Sequence, residues 1–289
     1  MNNKTSRIND KHSLKFFRKY KPSDTQKSII SEFQILHIKW DDTEPFPPPF
    51  ITCLANIEQA LYFYPRDSVK ALPTPDSVGL TAKSPTITGP KNKPIGLKFG
   101  KDYLMIKVTF HPTGLYRLLG IPMQKTVNTG LDATTFFSHE IKMEHDKLVQ
   151  SSSYDTMIEI VSSFIDRQIE LGIKAEEPID GVAIKMLDPS AKHTLPEWAS
   201  LACLSLRQFE RSFTKRVGIS PKMFLRIVRF ENAMQFKNNM PEKSWSDIAL
   251  ECGYNDSSHL LREFRQFAEF APGTLTQKQT SGFGDFPTG

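Results

Sequence analysis

Cysteine is scarce. Cys53, Cys203 and Cys252 are the three in the chain. They are too few and too scattered for a disulfide framework or a zinc cluster, and they read as small apolar thiols in a reducing compartment. No apolar run approaches the ~18 residues of a membrane span. The first residues, MNNKTSRINDKHSLK, are polar and basic and have no apolar stretch of the kind a signal peptide needs. A cytoplasmic protein is therefore expected, with no membrane as partner.

The motifs of common enzymes are missing as well. No G-x-S-x-G, Walker loop or G-x-G-x-x-G occurs. His139-Glu140 opens like a zinc-protease helix, but Met143 stands where the second histidine should be. His145 lies about 240° round a helix from His139, so the two do not share a metal on one face. No H-x-H pair occurs in the proline-rich first half. We expect no catalytic residues, no metal and no cofactor.

Net charge is small, +5, but it is unevenly placed. Between Thr194 and Phe230 the cations are Arg207, Arg211, Lys215, Arg216, Lys222, Arg226 and Arg229, against only Glu197 and Glu210. A local excess of this kind favours phosphate, whose neutralisation releases counterions.

The clearest local pattern lies just beyond this stretch. From Ser244, Ile248, Ala249 and Cys252 repeat at helical spacing, and Gly253 follows where a sharp turn needs positive φ. Asn255, Asp256 and Ser257 offer capping oxygens. Leu260, Phe264 and Phe267 then make an inner stripe, opposite Ser258, Leu261, Arg262 and Arg265. About fifty residues earlier the design occurs again. Thr194 and Glu197 form a capping box, Ala199 and Ala202 suit close packing, and Cys203-Leu204-Ser205 turns the chain. Ser205 and Gln208 form a second box. Phe209 and Phe213 face inward, while Arg207, Glu210, Arg211 and Thr214 face out. Ala199 matches Ala249, and Cys203 matches Gly253. Phe209 and Phe213 match Leu260 and Phe264 after one extra residue in the second turn. Between the copies, Ser220-Pro221 starts a helix that runs to about Lys237 and stops at Asn238–Pro241. About eighteen residues at 1.5 Å rise make a strut of about 27 Å. One turn of DNA is about 34 Å, so such a strut suits two reading helices in successive major grooves.

This region resembles the DNA-binding domain of the AraC/XylS transcription regulators. The resemblance rests on Ser205, Phe209, Arg211, Phe213, Gly218, Ile219, Ser220, Pro221, Arg229 and Ala233. It continues through Ile248, Ala249, Gly253, Tyr254, Asp256, Leu260, Arg262, Phe264 and Pro272. Cys203 departs from it, since the family often has glycine there, and that turn is expected to be strained or differently shaped. The resemblance implies a sequence-specific regulator that binds double-stranded DNA, with Arg211 and Arg262 near it. In the first copy Ser205, Leu206, Arg207, Gln208, Glu210 and Arg211 are the candidate DNA contacts. In the second they are Ser257, Ser258, His259, Leu261, Arg262 and Arg265. A small-molecule effector, a homodimer and, for an activator, RNA polymerase would be further partners. The alternative is an interaction or small-molecule-binding protein on the same scaffold.

The rest of the chain reads as α+β. A loose tail is expected over 1–20 and a β-rich sensor or dimerisation domain, barrel- or sandwich-like, over 21–135. A helical connector is expected over 136–179, the double helix-turn-helix over 180–276, and a flexible tail over 277–289. Phe33–Trp40, Gln59–Tyr64 and Tyr103–Phe110 read as strands among many proline and glycine breaks. The proline-rich stretch Glu44–Phe50 reads as a stiff loop, with a polyproline ligand as the other reading. His111-Pro112-Thr113-Gly114 is similar to a Phe-x-Pro-x-Gly-like turn in the sensor half of some AraC-type proteins. His111 is left either as a ligand group or as a hydrogen bond to the turn. Met157, Ile158, Ile160, Val161, Phe164, Ile165, Gln168 and Ile169 make a broad helical stripe that stops at Gly172. It either packs on the β domain or pairs with a second chain. Glu176-Glu177-Pro178 reads as a linker, and Asp180 as the cap of a helix through Leu187.

Overall fold

A computed structural model describes residues 6–10, 13–40, 51–72, 80–82 and 84–269. The proline-rich stretch at 44–50, Pro272 and the tail expected over 277–289 lie outside the described residues.

The three strands expected from sequence form the middle of one sheet. These are β3 (Ile30–Trp40), β5 (Gln59–Phe63) and β10 (Asp102–Phe110). They are joined by β1 (Ser6–Asp10), β2 (Ser13–Tyr20), β8 (Thr86–Thr88) and β11 (Gly130–Asp132). The seven strands run in the order β1-β2-β3-β10-β5-β8-β11. A smaller sheet has the order β4-β9-β6-β7, from β4 (Ile51–Cys53), β6 (Val69–Leu72), β7 (Leu80–Ala82) and β9 (Ile95–Lys98). All the strand pairings are antiparallel. Among the described residues neither sheet closes on itself, so of the two expected shapes the barrel is not formed.

The loose tail expected over 1–20 is corrected by β1 and β2. Ser13 to Tyr20 pair with Trp40 to Phe33, residue for residue. Phe16 and Phe17 supply the reason, since they alternate onto opposite faces of the sheet and both are buried. A basic, polar composition hid a strand whose apolar residues, Leu14, Phe16 and Phe17, are interrupted by lysine and arginine.

The central strands are buried on both faces. Phe33, Ile35, Leu104, Ile106 and Val108 point to one side. There they meet Ile141 and Leu148 of α2 (Thr134–Gln150) and Met157, Val161, Phe164 and Ile165 of α3 (Tyr154–Glu170). Leu36, Ile38, Tyr103 and Met105 point to the other side, toward Val69 of the smaller sheet and Phe99 just past the end of β9. The helices expected as a connector therefore form a second layer on the sheet. α3 spends its apolar stripe inside its own domain.

α1 (Gly114–Leu119) follows the His111 turn. His111 donates its backbone N–H to Ile29 O at 2.9 Å, and its ring Nε2 lies 3.2 Å from Lys27 O, so it ties the turn. Beyond a 3₁₀ turn at Met123–Thr126 come the helices of the second half. The first of these, α4 (Pro178–Lys185), begins earlier than expected. Glu177 is its cap, and Asp180 accepts the Glu177 N–H at 2.8 Å from inside the first turn.

One ion pair joins β10 to the segment that leads into β5. Lys107 Nζ is 2.5 Å from Glu58 Oε2, and Tyr62 donates its hydroxyl to Glu58 Oε1 at 2.6 Å. Burial alone would raise the Glu58 carboxyl. The charges of Lys107 and Lys91, with hydrogen bonds from Lys107 and Tyr62, outweigh it and hold the group at about 2, below its usual 4.5. A lowered carboxyl pKa stabilises the fold above the unfolded value and loses that effect as pH falls. We expect stability to decline as pH drops from about 4.5 toward 2, and Lys107→Met to cost about 3–5 kcal/mol at neutral pH by stranding the carboxylate. Urea unfolding across pH checks both, and in Lys107→Met with Glu58→Gln most of that loss should return.

Candidate nucleic-acid interface

Each helix-turn-helix is built from two capped helices. In the first copy α5 (Leu195–Leu201) leads to α6 (Leu206–Val217). Thr194 and Glu197 exchange hydrogen bonds at the start of α5, with Thr194 N to Glu197 Oε2 at 2.6 Å. Ser205 and Gln208 do the same for α6, with Ser205 N to Gln208 Oε1 at 3.1 Å. Such caps satisfy backbone N–H groups that the first turn leaves unpaired. In the second copy α8 (Trp245–Glu251) is capped by Ser244, and α9 (Ser257–Phe267) by Asp256. Of the three oxygens offered before α9, it is Asp256 that accepts the His259 N–H, at 2.7 Å.

The two turns are the same object. Leu204 N–H reaches Ala199 O at 3.0 Å, and Tyr254 N–H reaches Ala249 O at 2.9 Å. Cys203 takes φ 57° and Gly253 takes φ 75°, so both lie in the left-handed region. The strain expected at Cys203 is present, since a side chain there costs about 1–2 kcal/mol. At the far ends of the reading helices the residues are crossed over. Gly218 has φ 100°, and Glu269 has φ 63°.

Both copies pack on one strut, α7 (Pro221–Asn239), capped by Ser220. Phe224 meets Phe213 edge to face at 5.3 Å between ring centres, and Phe230 meets Phe264 at 5.0 Å and Phe267 at 5.4 Å. Phe209, Phe213, Leu260 and Phe264 are fully buried, each worth about 1.5–3 kcal/mol.

The outward faces differ. Ser205, Leu206, Arg207, Gln208, Glu210 and Arg211 are all exposed. Gln208 spends its amide oxygen on the cap. In the second copy Ser258, Arg262 and Arg265 are exposed, while Ser257, His259 and Leu261 are half-buried. His259 is turned inward. Its ring stands edge-on to Tyr254 at 5.3 Å, and its Nε2 lies 3.7 Å from Glu263 Oε1.

The structure sorts the cations. Arg216 is buried and bonds Asp180 at 2.9 Å and Glu177. Arg226 and Arg229 both bond Glu263, at 2.8 and 2.9 Å, and Glu263 is 2% exposed. Arg229 also lies 4.4 Å over the ring of Tyr254, whose phenol is pushed well up, first by burial and then by Glu263. Three of the seven cations in the basic stretch are thus spent on internal carboxylates. Among the described residues Arg207, Arg211, Lys222, Arg262 and Arg265 face no carboxylate and are exposed. Sequence reading missed Asp180 and Glu263, because their partners lie 36 and 34–37 residues away in the chain.

A helix-turn-helix domain family model matches residues 198–278. The domain that ends this chain is of the AraC/XylS type. Residues of this region are 33% identical over 81 positions to the transcriptional activator RhaS of Klebsiella pneumoniae (strain 342). That is 28% of this chain and 29% of the relative, so the chain spans less than a third of that relative's length. An uncharacterized HTH-type transcriptional regulator of Haemophilus influenzae is 33% identical over 78 residues, 27% of this chain and 26% of that one. Among solved structures, ToxT from Vibrio cholerae is similar at 10% identity with a TM-score of 0.43, over 83% of this chain and 95% of that one.

The AraC-type turn at Cys203 yields a direct check. Cys203→Gly relieves the left-handed side chain but frees the unfolded chain, so we expect a net gain of about 0.5–1 kcal/mol. Thermal melting measures it, and a loss of stability would show that the thiol has a packing role.

Proposed function

We propose that the chain is a sequence-specific DNA-binding transcription regulator of AraC/XylS type. The observation that carries this is the pair of capped reading helices on one strut, each with unpaired arginines on its outer face. The N-terminal domain, on this reading, senses a small molecule or mediates dimerisation, and RNA polymerase joins the partners where the protein activates. Among the described residues no helix is long and apolar enough to cross a membrane.

The two faces divide the work. Arg207, Glu210 and Arg211 take base edges in the first half-site, since arginine bonds guanine bidentately and glutamate accepts from cytosine. The second face has two small serines, a half-buried Leu261 and a half-buried His259 turned toward Tyr254 and Glu263. It positions the protein through Arg262 and Arg265 on phosphates, with Leu261 against thymine methyls. Internal neutralisation of Arg216, Arg226 and Arg229 keeps the salt response to the outward cations. Each phosphate contact contributes about 0.9 to the slope of log affinity against log salt.

Gel shifts with genomic fragments across a salt series test the reading. A specific complex that weakens steeply with salt is expected; absence of any specific fragment would favour an interaction protein that has lost DNA. Arg207→Ala or Arg211→Ala should cost ~1–3 kcal/mol at particular bases. Arg262→Ala should weaken specific and random duplexes alike. Equal losses on both duplexes for all three variants would remove the division between the faces.

A further inference from the structure

Each reading helix packs on α7, and α6 and α9 make no more than incidental contact with each other. A joint through a single helix leaves two modules free to hinge. The β domain supplies a second link. The segment from Leu54 to Gln59 leaves β4 and enters β5. Ala55 donates its N–H to Phe267 O, at the end of α9, at 3.0 Å. Four residues on, Gln59 Nε2 donates to Val217 O, at the end of α6, at 3.0 Å, with Arg216 O at 3.5 Å. The same nitrogen donates to Pro112 O at 2.8 Å. The last carbonyls of a helix have no partner inside it, and here both reading helices find one on the same short segment.

The seam is built as a packed joint. Gln59 is 1% exposed and Ala55 is 2% exposed. Ala55, with Leu54 and Ile57 against it, belongs to the core of the DNA-binding domain. A Cβ added at Gly218 would stand 2.8 Å from Met123 O, so α6 ends hard against the 3₁₀ turn. The segment is fixed to its own domain. Asn56 and Lys91 exchange two backbone bonds at 2.9 and 2.8 Å, and Glu58 is held by Lys107. The grip falls on the C-terminal ends of α6 and α9; Arg207 and Arg211 lie in the first half of α6, Arg262 lies midway along α9 and Arg265 in its last turn.

We propose that Gln59, with Ala55 on the same segment, is a positioning residue that fixes the separation and angle of the two reading helices. The β domain then sets which half-site spacing the protein accepts. The spacing part rests on the regulator reading; the mechanical part does not.

The test uses the full chain. Spin labels are placed at Arg207→Cys and Ser258→Cys, with Cys53 and Cys203 changed to Ser, and the distance distribution is measured without DNA. One narrow distribution is expected. Gln59→Leu, which keeps the volume and removes the donor, should broaden it about twofold or more, as a freed hinge does. Gln59→Met serves the same purpose if Gln59→Leu melts too low to measure. Width unchanged in a folded variant overturns the proposal. In the second arm, a duplex retained from a random library by the full chain is lengthened by one base pair between half-sites. The parent should lose about tenfold or more in affinity and Gln59→Leu about threefold or less, because a rigid pair of modules tolerates no change of span. An equal penalty in both also overturns it. If no duplex is retained, the regulator reading falls, and the distance distribution still decides the brace.

Discussion

The second half of the molecule depends on one helix that serves two cores at once. Phe224 of α7 completes the aromatic packing of the first module, and Phe230 completes that of the second. Six residues of helix separate them, about 9 Å along the axis and on different sides. This offset places the two modules apart on the strut. Trp198, Phe209 and Phe213 on one side and Ile248, Phe264 and Phe267 on the other all draw on it for burial.

Charge is arranged around that strut according to what each arginine must do. Desolvated guanidinium groups need carboxylates close by, and Asp180 and Glu263 are buried beside them. Arg216 thereby fastens α6 to α4, and Arg226 and Arg229 fasten α7 to α9. A count of basic residues along the chain mixes these fasteners with the arginines that face solvent.

Much of this was legible in the residues. Capping boxes at Thr194 and Ser205, the inward phenylalanines and the proline start of α7 are local patterns of three or four residues. They survive because a helix terminus satisfies its own backbone groups locally. The strands at Phe33, Gln59 and Tyr103 were legible as apolar runs. Their burial on both faces was not, because nothing in a single strand reports the layer above it. The first strands were lost behind lysines and serines, with Phe16 and Phe17 the one clue. Long-range contacts such as Gln59 with Val217 leave no trace in spacing, and the inward turn of His259 depends on Tyr254 and Glu263 together.

The left-handed positions of the duplicated modules carry a wider lesson about ancestry. Each module keeps glycine at one corner and a larger residue at the other, and the choice is opposite in the two: Cys203 and Gly218 against Gly253 and Glu269. What both copies preserve at the turn is the backbone bond back to the alanine carbonyl, from Leu204 in one and Tyr254 in the other. Glycine is therefore a convenience at this bend and the bond is its signature. A search for kindred modules that insists on glycine would pass over half of this pair, whereas one that asks for a small residue four places before the bend would find both.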